Sequence, residues 1–249
     1  MMAGSRPPLD QALALIAATG RPGVDPDEQV RRLDGLALTT DTRDARSVCS
    51  SLFGPGGLRG DTERYYDAEN SLIDKVLDRR VGIPITLAVI AIEVARRSDV
   101  HLVGIGMPGH FLLRDGRDPS SFFDAFDGGA ALDPAGVQSL FQRLHGDALD
   151  FRDEYLAPTP PLLIVARVLN NLRSAYARVQ DRDGMVRSLA LQAELPGPNL
   201  DVRRRLADAL TADGRFLDAA GQHDRLAALD PAHGEEHAAA ALRLRAQLN

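Results

Sequence analysis

Arg79-Arg80-Val81-Gly82-Ile83-Pro84-Ile85-Thr86-Leu87-Ala88-Val89-Ile90-Ala91-Ile92-Glu93-Val94-Ala95-Arg96-Arg97, residues 79–97, is the stretch on which the fold turns. Pro84 stands well as the first residue of a helix, where its missing N–H costs nothing. From there to Glu93 the run is apolar almost all round, the pattern of a helix buried at the centre of a domain. Its β-branched residues leave a strand reading open, but its length and the closing Ala-Arg-Arg favour a helix over about 84–97. The apolar run is also only about half of the ~20 residues a bilayer span needs, so no membrane segment is expected.

Working outward, Asn70-Ser71 offers an N-cap with Asp74 three residues after Ser71, and Leu72, Ile73, Val76 and Leu77 form one apolar face of a helix ending at Asp78-Arg79-Arg80. Three strand candidates follow the central helix: His101–Gly106, His110–Arg114 and Phe122–Ala125. Gly, Pro and Asp clusters separate them, as in an antiparallel meander. A buried helix followed by a small antiparallel sheet is an α+β arrangement. Upstream, the chain reads as helices: one after the Pro-Pro pair, one opened by Asp25-Pro26, and one closed by Gly54-Pro55-Gly56-Gly57. Downstream of Pro158-Thr159-Pro160-Pro161 it is helical to the end. Between Val202 and Pro231, Leu206 and Ala207, Gly214, Ala219 and Ala220, then Asp230-Pro231 follow the order of a tetratricopeptide unit, and a looser copy begins at Leu169.

Composition narrows the function classes. A formal charge of -6 over 249 residues argues against a general nucleic-acid binder, and Lys75 is the only lysine among the 29 basic residues. The single cysteine, Cys49, can form neither an internal disulfide nor a cysteine-rich zinc site, which fits a reducing compartment. Met-Met-Ala-Gly-Ser-Arg-Pro-Pro carries no apolar core of a secretory leader. A soluble, cytoplasmic protein is expected.

Four ordered blocks carry a family resemblance: Tyr65-Tyr66-Asp67-Ala68-Glu69-Asn70-Ser71-Leu72, Arg79-Arg80-Val81-Gly82-Ile83-Pro84-Ile85, Pro108-Gly109-His110-Phe111-Leu112 and Phe123-Asp124-Ala125-Phe126-Asp127-Gly128-Gly129. Together they resemble the bacterial invasion-regulator-type branch of the transglutaminase-like superfamily, over residues 30 to 235. The resemblance implies a papain-like core and a Cys–His–Asp triad, with a thiolate at a helix N-terminus and a carboxylate orienting the histidine. Carried over, His110 opens a strand in the histidine's place and Asp124 stands in the aspartate's. The cysteine's position, two residues after Gly82, is Pro84. Cys49 lies outside the motif. The triad is broken at its reacting atom.

The expected organisation is an N-terminal helical region (1–57) on a transglutaminase-like core (58–157), then a tetratricopeptide-like helical tail (158–249). His110 and Asp124 form a dyad that is either a relic or a general base. Tyr65, Asn70, Ser71, Asp74, Arg79, Pro84 and Phe126 are the candidate binding residues, although Asn70, Ser71 and Arg79 have an equally good reading as helix-end structure. Thr86 and Ser71 are the only hydroxyls near the missing thiol. His233-Gly234-Glu235-Glu236-His237 matches a zinc-protease spacing formally, but its glycine and its place after Pro231 favour a solvated helix start. No metal and no cofactor is expected. The implied function is binding of a peptide or protein partner through the degenerate groove and the tail, with no nucleic acid and no membrane; no oligomeric state is implied. The alternative is a hydrolase or amide-processing enzyme that uses His110–Asp124 with an unconventional nucleophile or an activated water. A transcription-linked role rests on the family's label alone.

Overall fold

The computed structural model describes residues 8–247, which divide into two units between Val168 and Leu169. In the first, α1 (Leu9–Ala18), α2 (Pro26–Thr39) and α3 (Ala45–Phe53) precede a two-residue strand β1 (Arg59–Gly60), a 3-10 turn (Ala68–Ser71) and α4 (Ile73–Arg79). Strand β2 (Val81–Gly82) then leads into α5 (Pro84–Arg96). Asp25 caps α2 by accepting from the Asp27 N–H, and Asp44 caps α3 through the Ser47 N–H. Each satisfies a main-chain donor that the helix cannot.

Helix α5 is the centre of this unit. Eleven of its 13 residues are buried, and α1, α2, α3, α4, β1, β3 (Leu102–Ile105) and β4 (Leu112–Asp115) all pack against it. Each fully buried Leu, Ile or Val contributes about 1.5–3 kcal/mol, so an all-round apolar helix is stable only when wrapped on every side. Strands β3, β4, β5 (Phe122–Asp124) and β6 (Ala130–Leu132) form an antiparallel meander in chain order. Every residue of β5 is buried, so the sheet is covered on both faces at this strand, while Ala131 of the edge strand β6 is exposed. Ile105, Leu112 and Phe122 pack with Val137 and Phe141 of α6 (Pro134–His145).

The α+β arrangement is as expected, with three local differences. Helix α6 and strand β6 join the elements anticipated. His110 does not open a strand; β4 begins two residues later. Asn70-Ser71 does not cap α4 either: Asp67 caps the 3-10 turn by accepting from the Glu69 N–H, and α4 starts after Leu72 with no side-chain cap.

Helix α7 (Pro161–Arg178) contains the division between the units. In the second unit α8 (Arg182–Ala193), α9 (Leu200–Ala212), α10 (Phe216–Leu229) and α11 (Gly234–Ala246) each pack on the next. Leu206, Ala207, Ala219 and Ala220 are buried, and Gly214 turns between α9 and α10 at φ +73°. Among the described residues no helix is long and apolar enough to cross a membrane.

Helices α10 and α11 meet through two imidazoles: His223 Nδ1 and His237 Nδ1 are 3.2 Å apart, and His237 Nε2 is buried without a hydrogen-bond partner. Burial first, then the His237 charge, holds the His223 pKa below its ordinary 6.5; Arg243 acts the same way, while Asp208 and Asp224 oppose it. The folded chain therefore takes up this proton less readily than the unfolded one, so the pair's contribution is present above pH 6.5 and lost as pH falls below it. Hydrogen exchange of the α10–α11 amides should accelerate between pH 7 and pH 5 relative to α9. His223→Gln should flatten that difference, and an equal slope in the variant would show that the pair does not cause it.

Candidate functional site

The approach to Pro84 is set by backbone pairing. β1 lies parallel to β2: the Arg59 N–H donates to the Arg80 carbonyl and the Asp61 N–H to the Gly82 carbonyl, each at 3.0 Å. Strand β2 thus delivers Ile83 and Pro84 directly into the first turn of α5. Pro84 is buried at the first helical position. It supplies no nucleophilic atom, and with no N–H it also supplies no main-chain donor for a developing oxyanion.

His110 lies in the loop between β3 and β4. Its N–H donates to the Met107 carbonyl at 3.1 Å, Gly109 adopts φ +72°, and the His145 ring of α6 contacts the Pro108 carbonyl at 3.0 Å. A side chain at Gly109 would be strained at that φ and would crowd the His145 ring. The loop therefore holds a fixed turn that points His110 at Asp124, the last residue of β5.

His110 Nε2 and Asp124 Oδ2 are 2.9 Å apart, and both side chains are about nine-tenths buried or more. The other carboxylate oxygen, Asp124 Oδ1, accepts from the Phe126 N–H at 3.0 Å and the Asp127 N–H at 3.3 Å. An ionised carboxylate only accepts, so His110 donates through Nε2–H and its basic lone pair is on Nδ1. That is the tautomer a general base at Nδ1 requires.

Aromatic rings rim this dyad. Phe126 stands edge-on to His110 with centroids 6.2 Å apart, Tyr65 edge-on to Phe126 at 5.7 Å, and Tyr66 edge-on to Tyr65 at 5.2 Å. Phe126 lies so close to Gly60 that a Cβ there would be 2.6 Å from its ring. The Asn70 amide donates to the carbonyls of Arg64 and Tyr65, at 2.7 and 3.4 Å, which fixes the backbone carrying Tyr65. Burial pushes the Tyr65 hydroxyl above its ordinary pKa of 10.

Other candidates are engaged elsewhere. Asp74 accepts both ends of the Arg21 guanidinium at 2.8 and 2.7 Å, tying the segment after α1 to α4. Arg79 bridges Asp61 at 2.9 Å and Glu69 at 3.1 Å. Ser71 is buried in the 3-10 turn, and Thr86 Oγ1 is buried without a hydrogen-bond partner, so no base is within reach to activate it. Cys49 is sealed in the core, where burial pushes its thiol up to about 12. His233 pairs with Asp230 and His237 with His223, so the two histidines of the zinc-protease spacing do not share a site. Among the described residues no three His, Cys, Asp or Glu side chains are grouped to hold a metal.

One residue at the site escaped the sequence patterns. Arg167, in α7, reaches the His110 loop: Nη2 donates to the His110 carbonyl at 2.8 Å, and Nη1 and Nη2 both approach the Met107 carbonyl at 3.3 Å. Its guanidinium lies 5.5 Å from the Phe111 ring centroid. The available signal was an arginine inside the apolar run Leu162-Leu163-Ile164-Val165-Ala166-Arg167-Val168-Leu169.

Residues 11–170 match the family model of the transglutaminase-like superfamily. The chain is similar to a UPF0162 protein of Xylella fastidiosa, 41% identical over 140 residues that cover 55% of this chain and 50% of the relative. A UPF0162 protein of Pseudomonas aeruginosa is 31% identical over 189 residues, 71% of this chain and 67% of its own length. F-box only protein 21 of Homo sapiens is 41% identical over 57 residues, which cover 23% of this chain and 9% of that protein. The chain spans about half the length of the Xylella relatives. No solved structure matches it.

Proposed function

The chain belongs to the transglutaminase-like superfamily, and from that premise we propose that it is a binding protein whose reaction centre has lost the means of covalent catalysis. The observation that carries this reading is Pro84 at the first position of α5, where nucleophile and main-chain donor are both missing. The groove around His110, Asp124, Tyr65 and Phe126 takes a peptide or protein segment, while Asn70, Ser71, Asp74 and Arg79 hold its frame. The invasion-regulator-type branch fits the four sequence blocks, and the paired helices α8–α11 read as a tetratricopeptide-like tail that adds a second partner surface. A reducing, cytoplasmic setting suits the lone buried thiol of Cys49.

One observation favours an enzymatic reading as well: the His110–Asp124 hydrogen bond leaves Nδ1 basic. A hydrolase would use that nitrogen to activate water. The two readings part in one experiment. Peptides selected on the protein from a random displayed library should lose roughly thirtyfold in affinity on Phe126→Ala or Tyr65→Ala, as central aromatic anchors do. His110→Ala should change affinity by only about threefold, since its Nε2 is engaged by Asp124 and the anchoring contacts are the aromatic rings of the rim. If His110→Ala and Asp124→Asn instead each remove a measured amide or ester turnover by about 10²–10⁴ with the fold intact, the protein is an enzyme and the binding reading is wrong.

A further inference from the structure

Arg167 is half-buried and beside the dyad, and among the described residues no carboxylate pairs with it. Other acidic groups buried in this unit have partners of their own: Asp61 pairs with Arg79, Asp74 with Arg21, and Asp10 and Glu93 with Arg97, while Asp124 accepts from His110. A guanidinium withdrawn from water and left without a counter-charge is costly. Burial accordingly lowers the Arg167 pKa, with Tyr65 the group whose charge opposes that shift.

The guanidinium is held rather than loose. It rests over the Phe111 ring and is anchored by the Met107 and His110 carbonyls. Of its five N–H donors, three point at those carbonyls, which leaves two. Phe126 and Tyr65 line the same site. The two that remain, Nε–H and one Nη1–H, lie on opposite edges of the guanidinium, so each offers a single charge-assisted contact; held beside aromatic rings, such a contact is suited to one oxygen of a carboxylate carried next to an apolar or aromatic side chain. Phosphate recognition generally gathers several arginines, whereas a single guanidinium supplies one positive charge, which matches one carboxylate.

We propose that Arg167 is the anion receptor of the groove, and that the groove's ligands are peptides presenting a carboxylate beside an aromatic residue. This rests on the peptide-binding reading above and names its ligand class. The carboxylate comes either from an Asp or Glu side chain or from a chain's C-terminus.

Three capped or uncapped probes separate the possibilities: acetyl-Gly-Phe-Glu-Gly-amide, its Gln counterpart, and acetyl-Gly-Phe-Gly with a free C-terminal carboxylate. Each is titrated into the full chain while the amide resonances of Gly109, His110 and Phe126 are followed. At least one acidic probe should bind roughly tenfold or more tightly than the Gln peptide, and which one does so identifies the source of the carboxylate. Arg167→Gln should remove that preference and Arg167→Lys should retain part of it. The Glu-to-Gln comparison alters only the peptide, so it stands even if a variant at position 167 disturbs the His110 loop. Equal binding of acidic and neutral probes at these resonances overturns the role of Arg167 while leaving peptide binding in place. Perturbation by inorganic phosphate but by neither acidic probe overturns the carboxylate assignment. No perturbation by any probe, while library-selected neutral peptides do bind there, also counts against it.

Discussion

The Pro84→Cys variant should take up iodoacetamide at pH 7 roughly a thousandfold faster than the native chain. Only the thiolate reacts, and the native chain has one thiol, Cys49, fully buried and pushed up to about 12. At pH 7 about one Cys49 in 10⁵ is ionised even before access is considered. A thiol at the first position of α5 meets the positive end of a 13-residue helix, and replacing the proline also restores a main-chain N–H there. If the groove is arranged as proposed, the Nδ1 side of His110 completes an ion pair with it. The rate should then follow an ionisation below the ordinary thiol value of about 8.5, and adding His110→Gln should move that midpoint upward by about one unit. A thiol that ionises like a free one, with or without His110, would separate Pro84 from the dyad. Loss of the proline's rigidity costs only about 1 kcal/mol, so the variant should fold.

Arg97→Ala should destabilise the first unit by about 3–5 kcal/mol, the scale for removing one member of a buried ion pair. Arg97 contacts Asp10 Oδ2 at 2.6 Å, Asp34 Oδ1 at 2.6 Å and Glu93 Oε2 at 3.3 Å, and it also donates to the Glu93 carbonyl. Asp10 and Glu93 are each buried to within a few per cent, and Glu93 also receives the Leu9 N–H that begins α1. Without Arg97 these two carboxylates would face one another with only Arg96, half exposed, between them. Burial already lifts the Glu93 pKa above its ordinary 4.5, and the neighbouring Asp10 charge adds to this. The folded chain thus holds that proton more tightly than the unfolded one. The contribution of Glu93 to stability is greatest below pH 4.5 and declines as pH rises through its raised pKa. The Arg97→Ala deficit in urea unfolding should therefore be larger at pH 7 than at pH 4.5, and Asp10→Asn in the same background should recover part of it. A deficit independent of pH would mean that lost packing, not exposed repulsion, sets the cost.

What could be read from the sequence depended on how local its cause was. Helix α5 was legible because its burial is written in consecutive residues, and α2 because Asp25-Pro26 is a self-contained opening signal. Asp133-Pro134 carries the same signal, and Asp133 does cap α6 through the Gly136 N–H; the mark was present and unread. Strand β6 has no such mark: Ala130-Ala131-Leu132 becomes a strand because β5 offers it a ladder. Asn70 looked like a cap because its type suits one, yet Asp67 takes that task and the Asn70 amide turns to carbonyls five and six residues behind it. The dyad was legible from two motif positions, His110 and Asp124. Arg167 was not, since its link to His110 spans 57 residues and no periodicity records it.

Asp124 has a second employer. Besides holding His110, its carboxylate closes the turn after β5 through the Phe126 and Asp127 N–H groups, while its own carbonyl accepts from Gly129 at the entry to β6. A mutation there would expose two main-chain donors and loosen a hairpin, whether or not any reaction depended on the residue. Survival of an aspartate at such a corner is accordingly no witness to turnover. The demands of closing this loop are by themselves reason enough for the chain to keep that side chain.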